Sequence, residues 1–129
     1  MSDREHARAL LAVAERDLRA LRAMTPNAAV ADEIVGFHAQ QAAEKALKAW
    51  LTADSHPYER IHDLSVLLGS LEDVGHDVRA FRPLVRLNVF AVRFRYEALG
   101  PSAPLSDRDH LADEIEALLR TVQAYLSGT

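Results

Sequence analysis

Gln41, Glu44, Lys45 and Lys48 fall three or four residues apart within FHAQQAAEKALKAW, residues 37–50. On a helix this spacing sets them along neighbouring rows of one face. Such a row could mark a groove or an interface. A plainer reading stays open: Glu44 and Lys48 form a surface pair worth roughly 0.3–0.5 kcal/mol, with Gln41 merely solvated. Arg79, Arg82, Arg86 and Arg93 make a second row if the helix runs on through Pro83, and their guanidinium groups could meet phosphates. An arginine face is, however, more often answered by carboxylates, and the chain has 19 acids to answer it.

The histidines offer less. His62 and Asp63 could be read as a base with its orienting carboxylate, but Asp63 stands where a helix needs a cap, and capping is the stronger claim. His38 lies one turn before Gln41 and an imidazole there could titrate near neutrality, although a lone helical histidine is usually structural. No glycine-rich phosphate loop, His-Glu-x-x-His pair or nucleophile elbow occurs. With no cysteine a thiolate zinc site is excluded, and neither a metal nor a cofactor is expected.

These residues need helices to position them. Ser2 and Glu5 fit a capping box, followed by an apolar series at three- and four-residue spacing from Ala7 to Leu21. Thr25, Pro26 and Asn27 interrupt it, and alanine-rich sequence predicts a second helix from about Ala28 to about Ala53. Residues 54–61 lack helical periodicity and read as a loop. Asp63 caps a short third helix that leaves at Gly75. The fourth is expected from Leu84 to about Ala98, with Phe90 and Phe94 in the core, and the fifth from a Ser106 cap to Gly128. Strand-like alternation is missing, so the expected fold is all-α: an up-and-down antiparallel bundle of four main helices plus a shorter one.

At 129 residues and 49% hydrophobic content, the sequence predicts one domain, residues 1–129. No run of 18 apolar residues and no basic-then-apolar leader appears, which points to a cytoplasmic protein away from membranes. The net charge of -4 means that any nucleic acid would have to meet a local basic patch.

The ordered motifs FHAQQAAEKALKAWL at 37–51, HDLSVLL at 62–68 and VRFRYE at 92–97 closely resemble the HEPN domain family, and the likeness extends from the second helix to the last. The resemblance implies a small helical bundle that dimerises around a polar groove, often encoded beside a minimal nucleotidyltransferase in a toxin-antitoxin pair. Toxic relatives are metal-independent ribonucleases carrying an Arg and a His four to six residues apart on a late helix. None of the six histidines here follows an arginine at that spacing. Arg95 and Tyr96 instead resemble the nucleotidyltransferase-associated branch, where binding is implied more strongly than cleavage. The groove expected on this basis takes a nucleotide or RNA phosphate through Gln41, Lys45, Lys48, Arg93, Arg95 and Tyr96. An alternative is a noncanonical ribonuclease using Arg95 with His38 or His62, and a third is a self-associating module with no ligand.

Overall fold

The computed structural model describes residues 2–58, 60–95, 105 and 107–128, with the backbone alone at 92–95. Among the described residues, five α-helices form an all-α bundle: α1 (Asp3–Met24), α2 (Asp32–Ala53), α3 (Leu64–Asp73), α4 (Asn88–Arg95) and α5 (Arg108–Ser127). Among the described residues no helix is long and apolar enough to cross a membrane.

Local chemistry explains most of the ends. Ser2 accepts from the Glu5 amide at 3.1 Å and opens α1. Asp63 caps α3 by accepting from Ser65 N, and Gly75 takes a φ of 99° after the helix, a left-handed exit that glycine permits. Three boundaries depart from the sequence reading. The second helix starts at Asp32 rather than near Ala28, because Asn27 Oδ1 accepts from Ala29 N and the Asn27 carbonyl from Val30 N, a turn that competes with the helix. The fourth does not begin at Leu84. Arg79–Leu87 forms successive 3-10 turns and α4 follows only at Asn88. Pro83 has no N–H for an α-helical bond, and the tighter turns carry the chain past it. The last helix is capped by Asp107, which accepts from His110 N at 2.9 Å. The expected cap Ser106 lies outside the described residues, as does the end expected for the fourth helix.

Helix α2 is the axle of the bundle, packed against each of the other four helices and most extensively against α1. Its alanines at 39, 42, 43, 46 and 49 are fully buried and let these neighbours approach closely. Leu11, Leu21, Leu47, Leu51, Leu67, Leu71, Ile115 and Leu118 fill the core between them. At its C-terminal end, Asp54 joins two other elements: Tyr125 of α5 donates its hydroxyl to Oδ1, while His76 Nε2 meets Oδ2 at 2.6 Å. The Asp54 hydrogen bond holds the Tyr125 phenol above its ordinary pKa.

Gly36 sets how α4 approaches α2. A Cβ built there would lie 2.4 Å from Phe90 Cγ and 2.5 Å from the neighbouring ring carbons, and the root of a ring in a packed core has little room to yield. Gly36→Ala is therefore expected to destabilise the protein by about 1–2 kcal/mol, overpacking outweighing the better helix propensity of alanine. Urea unfolding checks this, and an unchanged or raised midpoint would mean that Phe90 can step aside.

Candidate functional site

The site is built on the narrow part of α2 that reaches the surface. Between Val35 and Thr52 only Phe37, His38, Gln41, Lys45 and Lys48 escape full burial, and they form a single strip. Beneath this strip lies a carboxylate. Glu44 is 4% exposed, so its charge must be met from within the protein. Lys48 Nζ stands 3.1 Å from Oε2, His62 Nδ1 donates to Oε1 at 2.7 Å, and Gln40 Nε2 approaches Oε1 at 3.3 Å. Burial alone would push the Glu44 pKa up. The His62 hydrogen bond, followed by the Lys48 charge and hydrogen bond, outweighs it and leaves the carboxyl below its ordinary value.

The network continues along the helix. Gln40 is fully buried, and its Nε2 also donates to the His62 carbonyl at 2.9 Å. Its Oε1 accepts from Gln41 Nε2 at 2.9 Å, and Gln41 Oε1 accepts from Lys45 Nζ at 2.7 Å. The two lysines thus differ in kind. Lys48 balances Glu44 and lies 5.3 Å over the Tyr58 ring, whereas Lys45 is held by a neutral amide and keeps its positive charge uncompensated by any carboxylate among the described residues.

The loop carrying His62 is fixed from the far side as well. Asp63 Oδ1 accepts from Ser65 N, Ser65 Oγ and Asn88 Nδ2 at 2.9, 2.6 and 2.8 Å, and Asn88 Oδ1 accepts from Leu64 N at 3.0 Å. The Ser65 hydroxyl bond, with the other donors, keeps Asp63 below the usual carboxylate pKa. Asn88 is the first residue of α4, so α2, the start of α3 and the start of α4 are joined through residues 62–64.

Of the residues singled out in the sequence, Gln41, Lys45, Lys48 and His62 come together here. His38 shares the strip but turns to α1, its Nδ1 3.7 Å from Asp17 Oδ1 and without a hydrogen bond. The side chains of Arg93 and Arg95 and all of Tyr96 lie outside the described residues, as does the side chain of Phe94. The arginine row does not form a phosphate-binding stripe on its described members: Arg79 pairs with Asp77, Arg82 with Glu72 and Arg86 with Glu114, at 2.8, 2.9 and 2.6 Å. One participant, Gln40, and one pairing, Glu44 with His62, were missed. Gln40 sits on the apolar phase of α2, an amide where the pattern calls for alanine or leucine, and that mismatch was the available signal. The carboxylate that orients His62 is Glu44, 18 residues back, and no spacing rule points to it.

Comparison with known proteins follows this geometry. The crystal structure of an archaeal HEPN homologue is similar at a TM-score of 0.61, with 24% sequence identity over 95% of each chain, a likeness of fold. A search of curated proteins finds no match. The family model for the HEPN domain matches residues 7–126, nearly the whole length, and the chain therefore belongs to the HEPN domain family.

Proposed function

We propose that this is a binding protein: one HEPN-like domain over residues 1–129 that dimerises and offers the α2 strip to the phosphate of a nucleotide or RNA. Lys45 is the observation that carries the reading, a cation steadied by Gln41 with no carboxylate among the described residues to quench it. A phosphate oxygen is the complement such a group lacks. Lys48 and Glu44 set the strip's shape, and Arg93, Arg95 and Tyr96 extend it in this proposal. The protein acts in the cytoplasm beside a minimal nucleotidyltransferase, in a toxin-antitoxin-like pair of the nucleotidyltransferase-associated branch.

Fluorescence anisotropy with a short labelled RNA tests the site. Lys45→Ala is expected to weaken binding about fivefold to tenfold and to lower the slope of log K against log salt by about one, the signature of one lost phosphate contact. Equal affinity and slope for the variant and the parent would remove Lys45 from any phosphate site. Co-expression with the adjacent nucleotidyltransferase, followed by size-exclusion chromatography with light scattering, reads the pairing and the dimer together.

One contact favours a second reading. An imidazole oriented by a buried carboxylate, as His62 is by Glu44, is the arrangement a general base requires. A noncanonical ribonuclease would use His62 with Arg95. Cleavage of labelled RNA that disappears in both His62→Ala and Arg95→Ala would select this reading, whereas intact RNA across pH and salt would leave binding alone.

A further inference from the structure

A cleft of about 370 Å³ opens at the C-terminal end of α2, where the first turn of α1 meets the loop that leads to α3. Thr52 lines it while being 5% exposed, and its hydroxyl makes no hydrogen bond among the described residues. That is unusual for a helical threonine, which commonly donates to the carbonyl four residues back, as Thr121 does to Ala117 O at 3.0 Å. Its oxygen reaches the solvent of the cleft, where an entering group can bond to it in place of water.

The neighbouring residues point the same way. Ser55, two residues past the end of α2, takes a φ of 56°, a left-handed position that glycine fills with less strain. A serine there adds a second hydroxyl to the wall of the cleft. His56 Nδ1 donates to the Pro57 carbonyl at 2.7 Å, which leaves Nε2 for a ligand. Across from these, His6 and Tyr58 share a hydrogen bond of 3.2 Å and provide flat ring surface. Asp3 is the charged acid of the lining, and among the described residues neither lysine nor arginine lines the cleft, Lys48 lying over the Tyr58 ring.

This lining decides the class of ligand. A phosphate would meet a carboxylate and no fixed cation, and among the described residues no group of three His, Asp or Glu side chains is arranged to hold a metal ion. A sugar fits better, because adjacent ring hydroxyls can donate to a carboxylate and to a neutral imidazole while accepting from serine and threonine, and the ring's C–H face packs on aromatic side chains. We propose that the cleft binds a neutral sugar-bearing ligand whose vicinal diol is held by Asp3, Thr52 and Ser55 against the Tyr58 ring. The site is separate from Lys45 and does not rest on the phosphate reading.

Titrating the full chain with adenosine, D-ribose and adenosine monophosphate, while following the amide resonances of residues 52–58, distinguishes a nucleoside from a free sugar and both from an anion. Saturable shifts with adenosine or ribose are expected. Thr52→Val should weaken that binding by about tenfold, the loss of one well-placed hydrogen bond. Lys45→Ala should bind the neutral ligand as the parent does. The proposal is overturned by no saturable response to either neutral ligand, by equal affinity in Thr52→Val, or by tighter binding of adenosine monophosphate than of adenosine.

Discussion

Arg108→Ala is expected to reduce the unfolding free energy by about 3 kcal/mol, the cost of stripping one partner from a largely buried charge pair together with its hydrogen bonds. The guanidinium has five N–H donors, and each finds an acceptor. Nε and Nη2 donate to Asp32 Oδ1 at 3.1 and 2.8 Å, Nη2 also to the Val30 carbonyl at 2.6 Å, and Nη1 to the carbonyls of Asn27 and Met24 at 3.1 and 3.4 Å. One side chain thus ties the start of α5 to the end of α1, the connecting turn and the start of α2. The Arg108 hydrogen bond holds Asp32 below its ordinary pKa, so this contribution is complete at neutral pH and fades only in acid. Thermal melting should fall by about 10 °C for a chain of this size. Arg108→Lys should recover little, because a single ammonium cannot span the same four acceptors. A loss below about 1 kcal/mol for Arg108→Ala would show that solvent replaces the clamp.

A similar loss, about 3 kcal/mol, is expected for Glu44→Ala, which leaves the part-buried Lys48 without its counter-charge and removes the carboxylate to which His62 and Gln40 donate. Glu44→Gln keeps the shape and separates charge from packing. Because the folded Glu44 pKa is lowered, the carboxylate's contribution is fully present above the unfolded value and is lost as pH falls from that value through the folded one. The parent should therefore lose stability on the acid side of pH 4.5 more steeply than Glu44→Gln, which lacks this titration. Parallel acid limbs in the two proteins, measured by urea unfolding across pH 2.5–6 (a window chosen around the ordinary Glu value), would exclude Glu44 as a source of that slope.

The difference between what the sequence disclosed and what it hid follows the range of the interactions. Ser2, Asp63 and Gly75 act on backbone within three residues or at their own φ, so their roles were readable from neighbours alone. Pro83 and Asn27 announced a disturbance without saying which local solution would win. The strip of Gln41, Lys45 and Lys48 was visible as helical spacing. The burial of Glu44 was not, because it depends on Tyr58 and His62 folding back over α2, a matter of tertiary packing. Arg108 was invisible for the same reason: its partners lie 76 to 84 residues earlier. Three of the four stripe arginines met carboxylates of the turn just before them, of α3 or of α5, the outcome that an acidic chain makes common.

Because α2 touches every other helix, no neighbour can detach without baring its alanine-lined sides to water. Opening of this region is consequently all-or-none, with amide protons on α2 exchanging through complete unfolding alone. The few side chains it shows to solvent ride on the least yielding backbone of the molecule, so whatever docks there meets a surface already in its final shape and forfeits little entropy on contact.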